Sequence, residues 1–377
     1  MTPEPLRTAD FDYDLPPELI AQEPLTDREG SRLLVVLRND RRQGPADRRR
    51  VPRSAVLPRR ISLMGERTPI GASAVVDSAF TELPSLIAPG DLLILNTTRV
   101  RHARLLGRRP SGAPAEVLLV HPGLEGTWVA IGQPGAALRP GKRIELEPEA
   151  WVETTEILSD GNRLVRFVGV SAEDAIRRFG RLPLPPYITR PPNDLDEVRY
   201  QTVYARVEGS VAAPTAGLHF TTGMLDALSA AGVVVAGLDL EIGPGTFKPV
   251  ETEDPTQHSM HPESYEITPR LAALVERVRE DGGRVWAVGT TVVRALESAA
   301  RDDGTLRTGR AETRLLIIPG YAFQVVDRLL TNFHLPRSTL MMLVSAFAGH
   351  ELTAGAYRHA VAERYRFYSY GDAMVIL

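Results

Sequence analysis

The spacing of apolar runs changes character once along this chain, and that change leaves few architectures open. Between Gly90 and Val170 the runs are short: 92–95, 103–106, 116–120, 128–131, 143–146, 151–158 and 163–168. Glycines, prolines and dipeptides such as Asp160-Gly161 separate them. Short strands at such spacing imply an antiparallel barrel or sandwich. From Ser171 onward strand-like and helix-like segments alternate instead. Residues 233–242 and 284–288 read as strands, and Leu271, Leu274, Val275 and Val278 mark one face of a helix. A further strand is expected at 313–318, and helices at 292–300 and 354–365. Alternation of this kind builds an α/β domain on a parallel or mixed sheet. The early apolar run 33–37 needs that same sheet, so the β-rich zone is read as an insertion within it.

At 377 residues, 43% of them hydrophobic, the chain is long enough for two domains with sizeable cores. It has no cysteine, which excludes thiolate catalysis, cysteine-ligated metal centres and disulfides. The first ten residues lack the basic start and apolar core of a signal peptide. The longest apolar stretch, near 340–348, is too short to cross a bilayer. A soluble, cytoplasmic protein is expected. The net charge of −3 does not argue for or against a nucleic-acid partner. Its distribution is uneven, because ten arginines lie between Arg38 and Arg67 against Asp40, Asp47 and Glu66. Residues 38–74 are rich in Arg, Pro, Gly and Ser without sustained periodicity, and are read as an exposed, mobile insertion. The chain has 42 arginines and only two lysines, Lys142 and Lys248. Genomic base composition can produce that bias, while planar guanidinium forks also suit phosphate.

Polar residues gather at three loops that open helices. In residues 329–349, Asn332, His334, Arg337 and Ser338 crowd a turn before an apolar helix, which Ser338 or Thr339 can cap and Gly349 can end. A helix start carries unpaired N–H groups and partial positive charge, which suits a polar ligand. Gly289-Thr290-Thr291 follows a strand and opens another helix, so it could offer close backbone approach and two hydroxyls. A simple threonine cap is the competing reading. The third loop, Val211-Ala-Ala-Pro-Thr215-Ala-Gly217-Leu-His219-Phe-Thr-Thr, leaves room among small residues and offers an imidazole able to exchange protons near neutral pH. Packed or capping roles compete for both histidines.

Other patterns are weak. Gly243-Pro-Gly-Thr-Phe lacks the third glycine of a dinucleotide loop, and Gly135 to Gly141-Lys142 is one residue too long for a phosphate loop. His258-Ser-Met-His261-Pro-Glu263 has donors enough for a metal but unspecific spacing, and no metal site is expected.

Taken together, the long segments resemble the S-adenosylmethionine:tRNA ribosyltransferase-isomerase family of queuosine biosynthesis. They are Phe11-Asp-Tyr-Asp-Leu-Pro, Gly90-Asp-Leu-Leu-Ile-Leu-Asn with Thr98-Arg-Val, Arg199-Tyr-Gln-Thr-Val-Tyr-Ala and residues 211–221. Residues 243–247, Met260-His-Pro-Glu263, 287–298, 331–349 and 363–376 continue them, covering nearly all of the chain outside 38–74. The resemblance implies a mixed-sheet α/β domain with an inserted small antiparallel β-barrel. The expected divisions are 1–98, 99–179 and 180–377, with 38–74 as the arginine-rich insertion. It also implies transfer of the ribosyl part of S-adenosylmethionine to the aminomethyl group of a 7-deazaguanine at the tRNA wobble position. The ribosyl part rearranges to an epoxycyclopentanediol while adenine and methionine leave. S-adenosylmethionine is then a consumed co-substrate; no resident cofactor is expected, the tRNA anticodon loop is the partner, and the protein is taken as a monomer.

Such a reaction needs a base for the proton on the ribose 5′-carbon, an acid for departing adenine, and exclusion of water. His219 and His334 are the candidates for proton traffic, with Glu263 and Glu241 second. Thr215, Gly217, Gly289, Thr290, Thr291 and Asn332 are the candidate substrate contacts. Arg99, Arg199 and Arg337 are candidates for tRNA phosphates, or for structural ion pairs. The chain departs from the family pattern at Glu241, where His is usual, at Thr97, where Asp is usual, and in having residues 38–74. Two rival readings remain: a catalytically silent tRNA-binding relative, and a nucleotide-binding α/β enzyme such as a methyltransferase.

Overall fold

A computed structural model describes residues 6–38, 75–247 and 250–377. The expectation for the arginine-rich insertion therefore lies, apart from Arg38, outside the described residues.

Nine strands form a large mixed sheet. Its centre is four parallel strands in the order β13 (Val234–Leu240), β3 (Leu92–Asn96), β15 (Val285–Val288) and β17 (Arg328–Asn332). On one side β14 (Glu263–Ile267) and β16 (Gly309–Thr313) extend it with antiparallel pairings. On the other, β18 (Ala373–Ile376) runs antiparallel to β17, β1 (Arg32–Val36) lies parallel to β18, and β2 (Val75–Ala79) closes the edge. β3 and β15 are buried along their whole length, which is why they read as continuous apolar runs rather than alternating ones.

Alternate residues of these strands enter two different cores. Leu34, Val36, Leu92, Ile94, Val285, Ala287 and Leu329 pack with α4 (Pro269–Glu280), α5 (Thr290–Ala299), α6 (Thr339–Ala348) and α7 (His350–Ala362). Leu33, Val35, Leu93, Leu95, Trp286, Val288 and Leu330 pack with Phe80, Leu83 and α3 (Thr222–Ala230). The period of two thus places helices on both faces. α4 starts where Thr268 accepts the Leu271 N–H and Pro269 occupies the first turn. α6 starts at Ser338, whose hydroxyl accepts the Met341 N–H at 3.1 Å, and ends at Gly349 with φ 101°. Ser338, not Thr339, is therefore the cap.

The β-rich zone forms a second, antiparallel sheet of seven strands. Its order is β11 (Gly180–Arg181), β5 (Arg104–Arg108), β6 (Pro114–Pro122), β7 (Trp128–Gln133), β10 (Arg163–Val168), β9 (Ala150–Ile157) and β8 (Arg143–Glu147). β5 also pairs with β8 through Arg108 and Glu145. Ala103, Val117, Leu119, Ala130, Leu138, Ile144, Val152 and Val165 form a core of its own, against which Ile176 and Phe179 of α1 (Ala172–Phe179) pack. A third, two-stranded ladder joins β4 (Thr98–Val100) to β12 (Val207–Ser210); α2 (Asp194–Arg199) lies between them in sequence.

One predicted element is displaced. The apolar run 313–318 was expected as a strand, yet the strand is Gly309–Thr313 and the chain leaves the sheet there. The Thr313 hydroxyl accepts the Leu315 N–H, and Arg294 takes the Leu315 carbonyl at 3.1 Å. These bonds turn the backbone away while Ile317 still reaches the core.

Candidate active site

At the carboxyl ends of β13, β15 and β17 the loops part around a cleft, the position where open α/β sheets bind ligands. It holds about 660 Å³ of space, counting the solvent at its mouth. One wall is the small-residue loop Ala212, Ala213, Pro214, Thr215 and Ala216, and Ile242 follows β13. Thr290 and Thr291 form the floor. Asn332 and His334, which follow or end β17, face them, and Tyr187, Tyr368 and Ser369 close the remaining side.

Gly289 opens α5 at φ 94°, and its N–H donates to the Leu330 carbonyl at 2.8 Å. An added Cβ would meet nothing closer than 3.6 Å, so backbone conformation rather than crowding is what calls for glycine. No side chain caps this helix start, which lies beside the hydroxyls of Thr290 and Thr291.

His334 lines the cleft. Its backbone is fixed from both directions: Tyr13 donates its hydroxyl to the His334 carbonyl at 2.5 Å, and the His334 N–H donates to the Tyr357 oxygen at 3.0 Å. Its Nε2 lies 2.7 Å from the Thr331 hydroxyl. His219 lies one residue behind the wall. Its Nδ1 is 2.8 Å from Ser31 Oγ, its Nε2 is 3.1 Å from Asn332 Nδ2, and its ring packs 5.0 Å from that of Phe80. Burial depresses both imidazoles to about 3, helped at His219 by the guanidinium groups of Arg199, Arg28 and Arg366. Both are therefore neutral imidazoles near neutral pH in this state.

The structure separates both glutamates from the cleft. Glu263, on β14, is buried against Arg294 of α5 in an ion pair. Burial raises its carboxyl, an effect Arg294 offsets. Glu241 is exposed and lines a second opening with Asp239, Glu266, Glu312 and Arg310. Thr215 is on the cleft wall, but Gly217 is not: a Cβ there would sit 2.0 Å from the Tyr204 hydroxyl oxygen, so its glycine serves packing. Arg199 turns inward, donating to the carbonyls of Leu25 at 2.5 Å and Thr26 at 2.8 Å. Arg99 on β4 and Arg337, at φ 56° beside Ser338, are exposed. Among the described residues no three His, Cys, Asp or Glu side chains stand together as a metal site, and no helix is long and apolar enough to cross a membrane.

A family model described as "Queuosine biosynthesis protein" matches residues 8–57 and 58–376, the two segments meeting inside the arginine-rich stretch. S-adenosylmethionine:tRNA ribosyltransferase-isomerase of Symbiobacterium thermophilum is 48% identical over 377 residues, covering 99% of this chain and 100% of the relative. The protein of that name from Cupriavidus metallidurans is 49% identical over 373 residues, 98% of each chain. The chain belongs to this family. A crystal structure of S-adenosylmethionine tRNA ribosyltransferase from Thermotoga maritima matches with a TM-score of 0.51 and 32% identity, covering 98% of this chain and all of that one.

Glu241, expected to depart from the family pattern, lies outside the cleft and adds no group to its walls. Thr97 is buried and donates its hydroxyl to Asp239. Tyr187, Tyr368 and Ser369, which belong to none of the three polar loops, also line the cleft. The Tyr187 and Tyr368 rings lie 4.7 Å apart, and the Tyr187 and Ser369 hydroxyls 2.5 Å apart. The available signal was aromatic density in Tyr365-Arg-Phe-Tyr-Ser-Tyr370, which looks like core until the chain is folded.

Proposed function

We propose that this enzyme transfers and isomerises the ribosyl moiety of S-adenosylmethionine onto the 7-aminomethyl group of a 7-deazaguanine at the wobble position of tRNA. The product is epoxyqueuosine-tRNA, with adenine and methionine released. The observation that carries the reading is the cleft itself, in a chain related to the family over nearly its full length. It joins an uncapped helix start, a loop of small residues and paired tyrosine rings at the carboxyl ends of parallel strands. Such a site suits a nucleoside with a polar, charged tail.

In this reading S-adenosylmethionine binds between Thr215 and the Gly289-Thr290-Thr291 turn and is consumed, with no resident cofactor. The sulfonium makes the ribose 5′-carbon acidic. His334 is the sole imidazole among the described residues lining the cleft, and it starts neutral, so it can accept a proton. Tyr187 and Tyr368 shield the intermediates from water. The seven-stranded sheet forms the inserted barrel expected at 99–179, its short last strand β11 running on to Arg181, between the two parts of the α/β domain. Arg99 and Arg337 meet tRNA phosphates around the anticodon loop. The protein works as a cytoplasmic monomer.

Incubating the protein with S-adenosylmethionine and tRNA carrying the aminomethyl base, and resolving adenine from S-adenosylhomocysteine, tests the reading. Adenine released only when that tRNA is present supports it. S-adenosylhomocysteine would mean methyl transfer, and neither product a silent relative.

A further inference from the structure

Asn332 is 2% exposed, and its surroundings decide which way its amide points. Nδ2 lies 3.1 Å from the Tyr368 carbonyl oxygen and 3.4 Å from that of Asp372. Both are acceptors only, so the nitrogen must face them and the oxygen must face away. The remaining neighbour of Nδ2 is His219 Nε2 at 3.1 Å. With an amide N–H directed at it, Nε2 is the unprotonated nitrogen. Nδ1 then carries the proton and donates to Ser31 Oγ at 2.8 Å. A doubly protonated ring would set N–H against N–H, and burial beside Arg199, Arg28 and Arg366 opposes the charge as well.

Both N–H groups of Asn332 are thus used, while its Oδ1 is buried without a hydrogen-bond partner, in a residue that lines the cleft. A buried amide oxygen left without a donor is costly, which makes it a strong acceptor for whatever enters. The tyrosine pair and the apolar wall at Ile242 suit a flat ring. An acceptor fixed at the edge of such a slot reads a ring N–H or amino group.

We propose that Ser31, His219 and Asn332 form a positioning relay that holds Asn332 Oδ1 as the acceptor for an N–H donor on the edge of a purine-type base, and that His219 transfers no proton. The proposal rests on the family reading above, which supplies two such bases: the adenine of S-adenosylmethionine and the deazaguanine of the tRNA.

Equilibrium binding separates the sources, with S-adenosylhomocysteine as one probe and tRNA carrying the aminomethyl base as the other. Asn332→Ala should weaken one probe by about tenfold, the worth of one hydrogen bond, and leave the other within about twofold. The weakened probe identifies the base. His219→Asn keeps a donor for Ser31 but offers Asn332 nothing, and should lose the same affinity. His219→Gln places an amide oxygen where Nε2 was, and should restore most of it. The double variant His219→Asn with Asn332→Ala should bind no worse than Asn332→Ala alone. Should Asn332→Ala prove unstable, the contrast between the two His219 variants still decides.

Unchanged affinity for both probes in a folded Asn332→Ala protein overturns the proposal. So does equal loss of kcat in His219→Asn and His219→Gln with unchanged affinities and an altered pH profile, which would make His219 a proton-transfer group. Failure of the family reading is recognised separately, in the wild-type protein, by the absence of tRNA-dependent adenine release.

Discussion

Gly289 illustrates how much of this site depends on single backbone positions. Its φ of 94° is open to glycine and strained for any branched residue. Gly289→Val should abolish S-adenosylmethionine binding in calorimetry, whereas Thr290→Ala should weaken it by about 1–2 kcal/mol through one lost hydrogen bond. Unchanged affinity in a folded Gly289→Val protein would remove the turn from the site. The depressed imidazoles carry a consequence for stability. Between pH about 6.5 and about 3 the unfolded chain takes up protons that folded His219 and His334 refuse, so stability falls as pH drops through that window. Each contributes a slope of up to about 1.4 kcal/mol per pH unit. Glu263, Glu297 and Asp372, whose carboxyls burial raises, act in the opposite direction. Comparing wild type with His219→Gln cancels them. Denaturant unfolding near pH 5 and near pH 7 should show a shallower pH dependence in the variant. At this scale residue types were legible and partners were not. The sequence marks His219 and Asn332 as polar residues in loops, but 113 positions separate them, and only the fold brings them to 3.1 Å.

At the scale of elements, legibility followed burial. β3 and β15, buried on both faces, were plain as apolar runs, and Ser338 and Gly349 marked the ends of α6. The run 313–318 misled because apolar content specifies depth, not backbone hydrogen bonding, and Arg294 draws its carbonyl out of the sheet. That same arginine explains Glu263. The pair joins β14 to α5 in the interior, and removing one partner leaves a buried charge alone. Glu263→Ala should cost about 3–5 kcal/mol in thermal or denaturant unfolding, while adenine release at a permissive temperature survives. A stable but inactive Glu263→Ala protein would return the glutamate to the catalytic candidates.

Across the whole molecule the small net charge hides where a polyanion could bind. Arg199 is held by backbone carbonyls, whereas Arg99 stays exposed. If Arg99 meets a phosphate, Arg99→Ala should lower the log–log salt slope of tRNA binding by about one unit, measured by titration at several salt concentrations. Arg199→Ala should instead reduce stability and leave that slope alone. The division into an α/β part and a β-rich part was legible from run spacing, since strand length and turn chemistry are local. The pairing of Arg108 on β5 with Glu145 on β8 was not, because pairing across many residues leaves no local trace.

The seven-stranded sheet begins at β5 and ends at β11, and in their antiparallel pairing Arg104 stands directly opposite Arg181. Partners in such a ladder sit about 5 Å apart. To the surrounding chain, the intervening segment is a loop whose two ends already touch. Tethering it costs the host almost no closure entropy, and the host gains little rigidity from its folding. Seen from the nine-stranded sheet, the segment leaves and returns at one point, which is the connectivity of a cassette.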